Sequence, residues 1–120
     1  MIKTLILTDK KKNELSLKSL KEIVYFETAG CCTHAFCCKG NKYKLEKRIN
    51  RVEERLPEEE FFRIHKSFIV NTAYIKKVSI SDREVVLLNN IEQVILPIAH
   101  RRLNFFLDFI NSRLNILESK

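Results

Sequence analysis

The 120-residue sequence is poor in glycine and proline, with two of each, and it has no tryptophan. Two isolated glycines leave no glycine-rich loop to cradle a phosphate and no flexible linker between domains. No apolar run approaches the roughly 18 residues that a membrane-spanning helix needs. The N-terminal stretch MIKTLILTDKKK has a short apolar segment but no small-residue cleavage site. Its lysines follow the apolar segment, whereas a signal peptide carries its positive charge first. Repeats and low-complexity tracts are absent too. The cysteines are not spread out as in a secreted disulfide framework, because all four fall within CCTHAFCC, Cys31 to Cys38. The expectation is one cytoplasmic domain spanning residues 1–120, with no membrane partner.

What is present fits a soluble globular chain. Hydrophobic residues make up 45%, enough for a modest core. The formal net charge is +7, from 22 Lys plus Arg against 15 Asp plus Glu. Such a balance attracts polyanions through Coulomb steering and counterion release. Acidic residues concentrate in one block (Glu53, Glu54, Glu58, Glu59, Glu60), so the remainder is more basic than the total implies. The block has no functional account at this level beyond solvation or repulsion of a wrong partner.

Along the chain, short β-prone runs dominate. Ile2 to Leu7 and Leu15 to Leu17 flank a polar turn, and KEIVYFET (Lys21 to Thr28) has the β-branched and aromatic content of a half-buried strand. Thr33 to Lys39 is its expected antiparallel partner, Gly40-Asn41 a hairpin turn, and Lys42 to Leu45 the returning strand. Leu45, Ile49, Val52 and Leu56 then recur at helical spacing until Pro57 stops the pattern. Strands are expected over Phe61 to Val70 (with a loop), Ala73 to Ile80, Glu84 to Leu88 and Ile91 to Leu96. A terminal helix over about residues 99–116 places Leu103, Phe106, Leu107, Ile110 and Leu114 on one face. Phe105 and Phe109 widen that face, which either folds back on the sheet or offers a dimer contact. The pattern is mainly β with one short internal helix and a C-terminal helix. Fold class alone does not give function.

Three blocks carry a resemblance. FFRIHKSFIVNTAYI (Phe61 to Ile75), with KEIVYFET upstream and ILPIAHRRL downstream, resembles the LytTR family of bacterial DNA-binding domains over about residues 2–110. The resemblance implies an elongated stack of small antiparallel sheets, with loops from one edge entering successive major grooves. It also implies double-stranded DNA as the partner, promoter direct repeats as the target, and a homodimer on DNA as one arrangement. Family members often carry a receiver domain that accepts phosphate. These 120 residues encode none, so the chain is expected to be a stand-alone regulator or the C-terminal half of a two-component response regulator.

Within the central block, Phe62, Ile64, Phe68 and Val70 are expected to face the core, while Arg63, His65, Lys66 and Ser67 can reach outward. Asn71 has an amide suited to satisfying backbone groups at a bend. Ser67 is either a turn former or a phosphate ligand. His65 is expected to turn inward and bond locally, and Lys66 to donate to guanine or neutralise a phosphate.

Two other loops are candidates. One holds Thr33 and His34, where the resemblance implies base contact. The alternative for His34 is a satisfied surface histidine. The other holds His100, Arg101 and Arg102. The family usually has arginine where this chain has His100, so Arg101 is expected to take over bidentate reading of guanine and Arg102 to hold the backbone. Cations at a helix N-terminus oppose the helix dipole, which favours an anionic partner over a local structural role.

The cysteine cluster invites a metal or redox switch through Cys31, Cys32, Cys37 and Cys38. Neighbours on a strand point to opposite faces, and the spacing is not a C-x-x-C pattern, so core and loop roles are the simpler expectation. No catalytic arrangement, cofactor or small-molecule substrate is expected, and the cysteines lack a catalytic signature. The other rival is a protein-interaction module that uses the aromatic C-terminal helix.

Overall fold

A computed structural model describes residues 4–9 and 14–113, with side chains from 20 to 112. The chain is elongated, 49 × 28 × 25 Å. Its stack consists of a seven-stranded sheet, order β2-β1-β5-β4-β3-β7-β6, and a three-stranded sheet, order β10-β9-β8. In the first sheet lie β1 (Thr4–Asp9), β2 (Glu14–Ser19), β3 (Ile23–Ala29), β4 (Cys32–Cys37), β5 (Lys42–Leu45), β6 (Phe61–His65) and β7 (Phe68–Asn71). The second has β8 (Ile75–Ser79), β9 (Glu84–Leu88) and β10 (Gln93–Pro97). Helix α1 (Ile49–Glu54) crosses between β5 and β6, and α2 (Leu103–Arg113) follows β10. Among the described residues no helix is long and apolar enough to cross a membrane.

Both faces of the large sheet are covered at its centre. On one face Ile23, Phe26, Ala35, Phe61 and Ile69 pack under Ile49, Val52 and Leu56, the apolar side of α1 and the turn after it. On the other, Val24, Ile64 and Val70 meet Val85, Leu87, Leu96 and Ile98 from the small sheet and its exit, with Phe106 from α2. This explains why FFRIH and FIVN read as nearly continuous apolar runs. Ile64 and Val70 are fully buried, and Phe62 and Phe68 pack against the same cluster. Phe61 and Ile69, of opposite pleat, fill the other core. Cys37 and Cys38 divide in the same way, one to each cluster.

Several boundaries differ from the sequence expectation: β4 ends at Cys37, the internal helix at Glu54, and β8 begins at Ile75 after a 3-10 turn. The internal helix begins at Ile49, not Leu45, because Leu45 still pairs with Thr33 in the β4–β5 ladder. Its helical spacing from Ile49 arises because both side chains reach the same core from opposite ends of a loop. The last strand begins at Gln93, because the Asn89 Oδ1 accepts from the backbone N–H of Ile91 (2.6 Å) and of Glu92 (2.7 Å), closing a turn there. The terminal helix begins with a 3-10 turn, His100–Arg102, and is described to Arg113, so Leu114 lies outside the described residues. Pro97 sits on the edge strand of its sheet, where a missing N–H costs nothing.

Asn71 ties the two layers of chain together. It is 3% exposed, and its Nδ2 donates to the Ile23 carbonyl at 2.8 Å. Its Oδ1 accepts from the Ala73 N–H at 3.0 Å, capping the 3-10 turn Thr72–Tyr74 that leads into the small sheet. Replacement by alanine leaves the buried Ile23 carbonyl and the part-buried Ala73 N–H without these partners. Asn71→Ala is therefore expected to lower unfolding stability by about 1–3 kcal/mol, measured by urea denaturation. A loss below a few tenths would show that water replaces the amide.

Candidate nucleic-acid interface

Several loops emerge at one end of the large sheet. There the turn Gly30-Cys31 joins β3 to β4, and the turn Lys66-Ser67 joins β6 to β7. Gly30 is the residue that allows the first turn, with φ +64°. The two turns are linked, because the Thr28 N–H donates to the Ser67 carbonyl at 3.0 Å. The loop after β5 joins them: Arg48 Nη2 lies 3.8 Å from Cys31 Sγ, and Cys32 Sγ donates to Glu46 Oε1 at 3.6 Å.

The second turn is held by Arg63, whose side chain is 10% exposed. Its Nε donates to the His65 carbonyl at 3.0 Å, and Nη2 donates to the Lys66 carbonyl at 2.7 Å. Nη1 reaches across to α1, donating to Asn50 Oδ1 at 2.8 Å and Glu53 Oε1 at 2.9 Å. The planar guanidinium thus braces the turn against the helix, a geometry that a lysine cannot supply. It also gives part of the acidic block a purpose, since Glu53 is the counter-charge.

The third loop is fastened to the outer edge of β6. The Ala99 N–H donates to the Ile64 carbonyl at 2.8 Å, and Arg102 Nη1 donates to the Arg63 carbonyl at 3.1 Å. These bonds occupy acceptors that an edge strand would otherwise expose. They also bring His65, Lys66, Ala99, Arg101, Arg102 and Phe105 around one concavity. His100, Arg101 and Arg102 are exposed and precede α2 directly, with no acidic residue in its first turn.

His65 behaves as its motif suggests. Its Nδ1 accepts from the Ser67 N–H at 3.1 Å, and its ring packs against Phe68 with centroids 5.6 Å apart. Burial and then the cations Lys66, Arg102 and Arg63 lower its pKa from 6.5. The accepting Nδ1 agrees, since protonation there would break the bond. Ser67 uses its backbone on both sides, and its hydroxyl has no partner among the described residues.

The Thr33-His34 expectation needs correction. Both residues lie within strand β4, not in a loop. Thr33 is fully buried, and its Oγ1 donates to the Lys47 carbonyl at 2.7 Å, strapping the loop after β5 to the sheet. Its side chain is therefore spent on structure. His34 has the opposite pleat and is half-buried. It is opposite Lys44 across the β4–β5 ladder, two pairs along from Phe36 opposite Lys42. Burial, followed by Lys42, lowers its pKa from 6.5, with Lys44 acting in the same sense and Glu27 opposing. Lys42 and Lys44 were not singled out in the sequence. Their alternation on a short strand is the period-2 signal that places both on the His34 face.

The four cysteines form no disulfide, and among the described residues no group of three or more His, Cys, Asp or Glu could hold a metal ion.

The profile of the LytTr DNA-binding domain matches residues 13–111. The chain belongs to the LytTR DNA-binding domain family. In fold it is similar to the LytTr DNA-binding domain of a protein described as a methyl-accepting/DNA response regulator from Bacillus cereus. That likeness has a TM-score of 0.75 at 20% identity and covers 92% of this chain and 98% of that one. In sequence it is similar to the transcriptional regulatory protein NatR of Bacillus subtilis (strain 168), 33% identical over 70 residues, 58% of this chain and 30% of NatR. It is also 47% identical over 39 residues to the transcriptional regulatory protein LytR of Staphylococcus aureus (strain N315), covering 32% of this chain and 16% of LytR. The matched part of the LytTR chain thus spans under a third of each regulator's length.

Two outcomes test this geometry. Arg63→Lys keeps the charge but loses the fork, and is expected to cost about 1–3 kcal/mol in urea unfolding, with faster amide exchange at Ser67. Unchanged exchange would show that the turn holds itself. For His34 and His65, a folded-state pKa below 6.5 means that the unfolded chain binds more protons as the solution is acidified. Their stabilising contribution is complete above the unfolded pKa of about 6.5 and is lost as pH falls from there through the lower folded-state values. Unfolding free energy measured from about pH 7.5 to 5.5 is expected to fall, with a shallower slope in His65→Gln.

Proposed function

We propose that this LytTR domain is a transcriptional regulator that acts in the cytoplasm and reads promoter DNA sequence-specifically. Lys66 and Arg101 approach base edges in the major groove, and Arg102, Ser67 and His100 approach the phosphate backbone. His34, with Lys42 and Lys44, contacts an adjacent stretch of the same duplex. The observation that carries this reading is the convergence of Lys66, Arg101 and Arg102 on one concavity, held by the bonds to the edge of β6. Phosphate contacts fix position, whereas a bidentate arginine or lysine contact to guanine O6 and N7 fixes sequence. Two exposed arginines, Arg101 and Arg102, at the uncompensated start of α2 supply the anionic preference. Thr33 has no part in the contact.

The target is a pair of direct repeats, with one copy of the domain on each and a homodimer forming on DNA. Selection from a random duplex library should return a repeated short motif. On that motif, affinity should fall with salt at a log–log slope of roughly −4 to −5, for about 4–6 phosphate contacts per domain. Arg102→Ala should weaken all sequences alike. Lys66→Ala and Arg101→Ala should each cost about 1–3 kcal/mol on the selected motif and much less on random DNA. Equal losses on specific and random duplexes for all three variants would overturn these roles.

A further inference from the structure

Helix α2 presents its core side through Leu103, Phe106 and Ile110, while Phe109 packs against Phe62 with ring centroids 5.0 Å apart. Phe105 takes no part in that packing. It is 69% exposed, and its neighbours Asn104, Asp108, Asn111 and Ser112 on the helix are exposed and polar. A single exposed apolar side chain is ordinary on a protein surface. The position of this one is not ordinary, because it lines the same concavity as Lys66, Arg101 and Arg102. Cations alone would serve a phosphate, and a phenyl ring has no donor for one.

We propose that Phe105 is a specificity-determining contact that packs on the 5-methyl group of a thymine beside the bases read by Lys66 and Arg101. The inference rests on the DNA reading above and names a further determinant within it. The major groove floor offers one apolar group, the thymine methyl, and an apolar side chain that shares a concavity with the two proposed base-reading cations is placed to meet it. The ring brings its own driving force. Its exposed surface loses water on binding, and rigid attachment to α2 limits the rotamer freedom that must be given up. The 3-10 turn His100–Arg102 and the bonds of Ala99 and Arg102 to β6 fix the start of α2, and with it Phe105, relative to Lys66.

The test uses the full chain and a duplex recovered by library selection, with each thymine in turn replaced by deoxyuridine, which lacks only the methyl. The wild type is expected to lose about fourfold in affinity at one or two positions, the worth of burying one methyl-sized group. Phe105→Ala should bind the parent duplex more weakly and be indifferent to deoxyuridine at those positions. Phe105→Leu, which keeps apolar reach, should retain part of the sensitivity. Circular dichroism and thermal melting check that both variants fold as the wild type does. Two results would overturn the proposal: undiminished binding by Phe105→Ala, or weakened binding with the wild-type response to deoxyuridine intact. In either case a wild type that still selects a motif, and loses it in Lys66→Ala, leaves the DNA reading standing. A wild type that selects no motif removes both.

Discussion

The guanidinium of Arg63 is where the fold and the proposed DNA surface meet. One side of the fork holds the carbonyls of His65 and Lys66, and the other holds Asn50 and Glu53 of α1. The carbonyl of the same residue receives Arg102 from the loop before α2. A two-residue turn has few internal bonds with which to resist a polyanion. Bracing through a delocalised, always-charged group makes the turn as stiff as the helix and sheet that it bridges. The neighbouring cations can be placed side by side because the half-exposed Glu53 carboxylate offsets the nearly buried Arg63 guanidinium.

Rigidity matters here because the surface is built from short pieces. The Lys66 turn, the 3-10 turn His100–Arg102 and the turn at Gly30 belong to three separate parts of the chain. Each is tied to a neighbour by a backbone bond, Thr28 to Ser67 or Ala99 to Ile64. Two cores, one on each face of the large sheet, hold the strands from which the turns project. Base reading depends on side chains that arrive already positioned, since every rotor frozen on binding subtracts from affinity. The same ties close the open edge of β6, which would otherwise invite pairing with another strand.

The acidic block and the cysteines gain their meaning from this arrangement. Glu53 belongs to the brace, whereas Glu54 makes an exposed pair with Arg51 at 3.6 Å, of the kind worth little to stability. Cys37 and Cys38 fill opposite cores, and Cys31 and Cys32 sit at the β3–β4 turn beside Arg48 and Glu46. Four thiols adjacent in sequence are therefore divided among three environments by the alternation of a strand and its turn.

Much of the fold was legible because it follows from local periodicity. Alternation placed Ile64 and Val70 inside, and the spacing of Leu103, Phe106 and Ile110 set the face of α2. The central motif pointed to the family, and with it to Lys66, His100, Arg101 and Arg102 as exposed loop residues. Which polar residues remain available was not legible. Thr33 and Arg63 look like surface donors in sequence, yet one straps the loop at Lys47 and the other braces a turn through partners 10 and 13 residues away. The pairing of Leu45 with Thr33 likewise overrode a helical spacing. Hydrophobic pattern is written along the chain, so the sequence by itself determined the elements and their buried faces. Hydrogen-bond partners are chosen across space, so only the tertiary structure decided which side chains the fold uses and which it leaves for a ligand.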